Sequence, residues 1–283
     1  MSLIRHVRRC NAWRPEQFLP LWRGGARIGL VRRDNAAALR EFPTVFAVDA
    51  TGVQLIAPGD FAALSAAVDQ VCEQLVRDGR VAKWRNEFFA VAERWGAPAL
   101  FKLDRGAISF FGVRAYGVHV NGYRRLSEGL KLWIGRRAPD KKVSPDKLDN
   151  LVAGGIDYKH GLAATLVKEA EEEASLPPTL AAAAVSVGAV AYRMETEYGL
   201  RDDVLFLYDL EMPAGVTPVN RDGEIVAFTL MDAPDVLARV RDTEDVKFNV
   251  NLVIIDFAIR HGLVRPEDPD YLDLVVGLRR PFA

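Results

Sequence analysis

Two cysteines, Cys10 and Cys72, are all that 283 residues contain. So few thiols exclude a disulfide framework, and without paired ligand spacing they argue against structural zinc; a reducing compartment is expected. Neither sign of charge is in excess, with 37 Lys and Arg against 38 Asp and Glu. The chain therefore lacks the global basic field that drives binding to nucleic acid or membranes, and an anionic ligand must be gripped locally. No apolar stretch is long enough to span a membrane. Arg5, Arg8 and Arg9 lead into Trp13-Arg14-Pro15-Glu16 rather than an apolar segment, unlike a secretory signal. Internal repeats and low-complexity tracts are also missing, apart from a short alanine run at 181–184. A cytoplasmic protein with neither nucleic-acid nor membrane partners is the expectation.

What is present suits a globular protein: 49% apolar and 27% charged residues, in a chain long enough for two modest cores. Leu64, Val68, Val71, Cys72 and Leu75 recur at helical spacing between Asp60, a capping residue, and Gly79, a stop. Around that helix, residues 26–31, 44–48, 53–56, 87–91 and 107–111 read as short strands. Residues 1–110 thus form an expected small α+β domain. In a second unit, 111–262, strands are expected at 116–123, 130–135, 185–192, 204–210 and 225–230, with a closing helix at 246–261. Residues 263–283 are read as a C-terminal tail.

Chemistry concentrates between Leu151 and Leu176, where Gly154-Gly155 precedes a glutamate-rich helix that Pro177-Pro178 stops. At about 100° per residue, Glu169, Glu172 and Glu173 fall within roughly one third of the helix circumference, and Glu171 points away. A glutamate-rich helix is ordinarily just a solvated face. Like charges packed this way are mildly unfavourable, however, and a hard divalent cation would offset them. Magnesium suits such a face because it takes oxygen ligands, keeps several waters and bridges carboxylates to substrate phosphates. A glutamate not committed to the metal could take the proton of an attacking water.

These residues resemble the Nudix box, in which a Gly is followed at fixed spacing by a Glu and then by Arg-Glu-aliphatic-x-Glu-Glu-x-Gly-aliphatic. Aligned on Gly154, the segment departs at three positions: His160 stands for the first Glu, Lys168 for Arg and Ser175 for Gly. Lys168 lacks the planar fork of arginine. The resemblance extends to Tyr116-Gly-Val-His-Val-Asn-Gly-Tyr123, Leu132-Trp-Ile-Gly-Arg-Arg137, Lys147-Leu-Asp-Asn-Leu-Val-Ala-Gly-Gly-Ile156 and Asn220-Arg-Asp-Gly-Glu-Ile225. There the chain is similar to the Nudix subfamily associated with thiamine pyrophosphokinase in fungi and with its plant relatives, which also carries an N-terminal domain.

The resemblance implies a Nudix α/β/α sandwich with a mixed sheet over 111–262. It also implies magnesium-dependent hydrolysis of a pyrophosphate bond, with manganese as a substitute ion. Glu169, Glu172 and Glu173 are then the catalytic and metal residues, which of them is the base being left open. Gly154 offers its carbonyl to the metal, and Glu224 is an added ligand that could equally be a turn residue after Asp222-Gly223. Arg136 and Arg137 are candidates to grip a diphosphate, with solvation as the ordinary alternative. His119 is a further substrate-binding candidate, although a histidine in an alternating strand is more often structural. Trp133, Tyr192, Tyr198 and Phe248 could stack on a ring or simply fill cores.

The implied partner is a small-molecule diphosphate, and a homodimer is the assembly considered. Thiamine diphosphate or an oxidised analogue is the substrate the resemblance suggests; nucleoside diphosphate derivatives such as ADP-ribose or NADH are the alternative. Two rivals are a diphosphate isomerase, which needs a cysteine in the catalytic domain, and a ligand sensor without turnover, in which the metal glutamates are commonly lost.

Overall fold

The computed structural model describes residues 2–279. Residue 1, and residues 280–283 at the end of the expected tail, lie outside the described part. After helix α1 (Ile4–Cys10), the chain builds strands β1 (Phe18–Arg23) and β2 (Ala26–Arg32), helix α2 (Arg33–Leu39), and strands β3 (Phe46–Val48) and β4 (Val53–Leu55). Helix α3 (Phe61–Arg77), strands β5 (Phe88–Val91) and β6 (Phe101–Asp104) and the short helix α4 (Ile108–Phe111) follow. The first four strands form one sheet in the order β2-β1-β4-β3, and β5 and β6 pair separately.

The amphipathic helix is α3. Asp60 caps it by accepting hydrogen bonds from the amides of Ala62 and Ala63, and its Leu64, Val68, Val71 and Leu75 are buried. They share a core with Leu21, Val31, Leu39, Val53, Phe110 and Phe111. Residues 107–111 are a correction: the expected strand is helix α4. A short apolar run cannot distinguish the two by periodicity. Here the Asp104 carboxylate binds the Gly106 amide at 2.7 Å, curling the chain before Ile108. Gly112 ends α4 in the left-handed region, and a Cβ there would lie 1.9 Å from the Leu30 carbonyl oxygen.

Strands β7 (Arg114–Leu126), β8 (Gly129–Arg137), β9 (Leu148–Asp149) and β10 (Val152–Gly155) lead to helices α5 (Leu162–Ala174) and α6 (Pro178–Ala181). Strands β11 (Val185–Thr196), β12 (Gly199–Glu211) and β13 (Ile225–Asp232), then helices α7 (Ala233–Asp242), α8 (Val250–Arg260) and α9 (Tyr271–Gly277), complete the chain. The second sheet has the order β11-β12-β7-β8-β13 and is mixed, since β7 and β12 run parallel while their other neighbours are antiparallel. Strand β7 changes partner along its length: residues 117–120 face β10, and 123–126 face β8.

Side chains alternate across this sheet. Val118, Val120, Tyr208 and Leu210 enter a layer with Leu166 and Ala170 of α5. Leu132, Ile134, Leu205 and Leu207 enter the opposite layer with Val250, Val253, Ile254 and Phe257 of α8. With helices on both faces, the unit is an α/β/α sandwich. Helix α1 contributes Ile4, Val7 and Cys10 to the α8 layer, as do Val264, Leu274 and Leu278 near the C-terminus. Among the described residues no helix is long and apolar enough to cross a membrane.

The closing helix is also a correction. It starts at Val250 rather than at residue 246, because the Leu148 amide binds the Asp245 carbonyl at 2.8 Å and the Lys247 amide binds the Leu148 carbonyl at 3.0 Å. Extended backbone there carries Lys247 to Asp149, with its ammonium 2.9 Å from the carboxylate.

Candidate active site

Helix α5 buries Thr165, Leu166, Ala170 and Ala174, so Glu169 and Glu173, next to these positions on the helix surface, border the packed face. Glu169 lies against the strand before it: a Cβ on Gly154 would fall 2.3 Å from the Glu169 carboxyl carbon, so only glycine admits this approach. Glu173 accepts a hydrogen bond from the Ala153 amide through Oε2 at 2.8 Å, leaving Oε1 unused by that bond. Glu172 is the most open of the three, and Lys168 bridges it to Glu169 with contacts of 2.8 and 3.0 Å.

Burial pushes the Glu169 carboxyl above its ordinary value, and the neighbouring Glu172 adds to this despite the opposing Lys168. Burial also pushes Glu173 well up, with Asp149 and Glu169 adding repulsion. Negative charge at this helix is therefore incompletely compensated by the protein. A hard divalent cation taking carboxylate oxygens fits that donor chemistry. Among the described residues, no three His, Cys, Asp or Glu side chains already converge closely enough to hold a metal ion. Lys168 is the cation that Glu169 and Glu172 share here.

A cavity of about 490 Å³ opens onto Gly154, Glu169, Glu172 and Glu173, and His119, Arg137 and Glu224 also line it. Seven candidates drawn from separate strands, a helix and a loop thus share one space. Arg136 does not line it; its guanidinium pairs with Asp146 at 2.8 Å, because neighbours along β8 point to opposite faces. Arg137 reaches the cavity but spends donors on Asp149 at 2.8 Å and on the Ser144 and Val143 carbonyls at 3.1 Å. Glu224 pairs with Lys141, and its amide binds the Asp222 carboxylate at 2.8 Å. None of Trp133, Tyr192, Tyr198 or Phe248 lines this space. Trp133 and Tyr192 are core residues.

The departures from the box also have structural accounts. His160 turns to Asp157, 2.6 Å away, in the loop before α5. Ser175 adopts a left-handed conformation at the end of α5, where glycine would be unstrained, and its hydroxyl binds the Val219 carbonyl at 2.7 Å. Cys10 and Cys72 are buried and line no part of the cavity.

Two groups at the site, Asp149 and Lys247, are not among the residues that the sequence singles out. Asp149 is buried and pairs with both Lys247 and Arg137; burial alone would raise its carboxyl, but Lys247 foremost, with Arg137, holds it below its ordinary value. A signal existed for Asp149, an acid that follows the apolar Leu148 and precedes Leu151 by two positions. For Lys247 there was none, since its placement depends on pairing with β9.

Phe88 and Phe89 of the first unit also line the cavity. The Tyr158 amide binds the Phe88 carbonyl at 2.9 Å, and the Tyr158 ring stacks on Phe61 at 6.1 Å, which docks that unit against the loop after Gly155. A Cβ on Gly155 would meet the Phe89 ring at 2.6 Å. Gly155→Ala should therefore cost about 1–3 kcal/mol by overpacking. Thermal melts should show less than additive loss when Phe89→Ala is combined with it; full additivity would mean that this contact is not the constraint.

Residues 2–115 match a family described as Domain of unknown function (DUF4743). Over 286 residues the chain is 38% identical to "Nudix hydrolase 24, chloroplastic" of Arabidopsis thaliana, spanning 98% of this chain and 78% of that protein. It is 37% identical to "Nudix hydrolase 20, chloroplastic" of the same plant, with 98% and 78% covered. A crystal structure of DR0079 from Deinococcus radiodurans aligns with 60% of this chain and 97% of its own, at 23% identity and a TM-score of 0.43. With the likeness to the two plant proteins running through nearly the whole sequence, box and N-terminal unit alike, the chain belongs to the Nudix hydrolase family.

Proposed function

We propose that the protein hydrolyses the pyrophosphate bond of a small organic diphosphate, using magnesium or manganese held at α5. The observation that carries this is the meeting of Glu169, Glu172 and Glu173 on one cavity, with Glu169 and Glu173 both raised by burial and by neighbouring acids. A bound divalent cation would neutralise phosphate oxygens and polarise phosphorus toward water. Glu172 and Glu173 would hold it, with the Gly154 carbonyl and Glu224 as further oxygen donors. Glu173 is suited to this role because Ala153 fixes one of its oxygens, while burial, with Asp149 and Glu169, raises its carboxyl. Glu169, moderately raised and pressed against Gly154, would take the proton from the attacking water. Lys168 would steady Glu169 and Glu172, and Arg137 would face a phosphate at the rim.

For the organic part we propose thiamine diphosphate or an oxidised analogue, on the strength of the subfamily resemblance. The aromatic wall of Phe88 and Phe89 suits a heteroaromatic ring. In this reading residues 1–110 are a domain that completes the pocket of a Nudix domain at 111–262. We also infer residence in the cytoplasm, supported by two cysteines that are buried and free.

The test is phosphate release with magnesium across thiamine diphosphate, oxothiamine diphosphate, ADP-ribose, NADH and common nucleoside triphosphates. Preference for the thiamine compounds supports the whole proposal. Preference for a nucleotide keeps the reaction and discards thiamine, and inactivity on every compound favours the sensor alternative.

A further inference from the structure

His119 is buried, 4% exposed, and borders the cavity. Its Nδ1 lies 2.8 Å from Oδ1 of Asn150, whose Nδ2 donates to Oδ1 of Asn121 at 2.9 Å. Asn121 in turn donates from Nδ2 to Asp209 at 3.0 Å. The polarity of this chain is set at its far end. Asp209 is paired with Arg260 and with His261, 3.1 Å away, and although burial opposes it, these contacts hold the carboxyl below its ordinary value. An ionised carboxylate only accepts, so Asn121 must present its NH₂ to Asp209 and its oxygen to Asn150. Asn150 must then present its oxygen to His119, and Nδ1 must carry the proton.

The opposite nitrogen is left as an acceptor. Among the described residues Nε2 has no hydrogen-bond partner, and it is not sealed from the cavity. The groups facing the ring are Lys247, Asp149 and Asn150, and burial first, then Lys247, lowers the imidazole to about 4. The ring is neutral at ordinary pH. Val118 and Val120 point into the α5 layer, so His119 between them projects from the opposite face, away from the carboxylate helix. That is also the face on which Phe89 covers Gly155, the residue paired with Gly117. Asn249 borders the same cavity at 7% exposure, and its Oδ1 has no partner. A neutral acceptor repels phosphate oxygens, so the ligand group beside His119 must be a donor.

We infer that His119, fixed as the Nδ1–H tautomer by the Asn150-Asn121-Asp209 relay, accepts through Nε2 a hydrogen bond from a hydroxyl or amino group on the organic part of the substrate. The inference rests on the proposal that this cavity takes an organic diphosphate, and it adds a requirement: the organic part carries a donor at the His119 end.

The test uses the full chain labelled with ¹⁵N-histidine, with long-range ¹H–¹⁵N correlation at pH 7 and assignment by loss of the signal in His119→Gln. A pyrrole-type Nδ1 with a pyridine-type Nε2 is expected; the reverse pattern, or two pyrrole-type nitrogens, overturns the inference. Thiamine diphosphate, ADP-ribose and NADH are then added without metal, beside inorganic pyrophosphate. At least one organic compound should move Nε2 toward the pyrrole type while pyrophosphate leaves it in place; if none does, the inference falls. For a compound that is turned over, His119→Phe should weaken kcat/KM by about tenfold with most of the loss in KM, the size expected of one hydrogen bond. A loss entirely in kcat would overturn the reading. If an organic compound moves Nε2 but no compound is hydrolysed, the acceptor role stands and the hydrolase proposal fails; hydrolysis with Nε2 unmoved gives the converse.

Discussion

Glu173→Gln is expected to lower kcat by about a thousandfold in saturating magnesium, within the range that loss of a metal-bound or acid–base carboxylate produces. The substitution keeps the shape of the side chain and an oxygen to accept the Ala153 amide, so the 2.8 Å contact survives. What disappears is the charge that the cation would neutralise. Stability should not fall, because burial and the nearby acids make that charge unfavourable in the folded protein. The sign follows from linkage: a carboxyl raised in the folded state stabilises it below the ordinary glutamate range, and that contribution is lost as pH climbs through the raised value. In metal-free buffer the melting temperature of Glu173→Gln should therefore gain on the parent as pH rises from about 4 toward neutrality. Steady-state kinetics and melts across pH read both effects. Retention of more than a tenth of the parent's kcat would sink the carboxylate mechanism.

Removal of divalent cations should have an effect as large. With EDTA, hydrolysis should drop to background and return on adding excess magnesium or manganese, since Lys168 can partly neutralise Glu169 and Glu172 but cannot polarise phosphorus. The cation should also stabilise the fold, by about 2.7 kcal/mol at a hundred times its Kd. Glu173→Gln should blunt that gain. Full activity in chelator would mean that these glutamates serve some purpose other than holding metal.

Local periodicities are legible in the order of residues alone. The spacing of Glu169, Glu172 and Glu173 depends only on helix geometry, and all three do border one cavity. Asp60 and the apolar stripe of α3 are equally readable, because capping and amphipathicity are written in neighbouring residues. The strand expected at 107–111 shows the limit of such patterns. Ile108, Phe110 and Phe111 supply apolar surface in either conformation, and the turn at Asp104 together with the core decides for helix.

Spacing could place Glu169 on the right face of α5, yet not show that Gly154 must be bare to receive its carboxyl. Arg136 and Arg137, adjacent and alike in sequence, are separated by strand pleating into a surface ion pair and a cavity residue. The match to the Nudix box was therefore legible in sequence, since it rests on residue types at fixed short spacing, and the metal reading came with that resemblance. Tertiary structure alone brought Phe89 over Gly155, Lys247 to Asp149, and Asp209 to the end of the relay that orients His119. Such contacts join residues 66, 98 and 88 positions apart, and strand register and unit docking govern them with no trace in the spacing between neighbours.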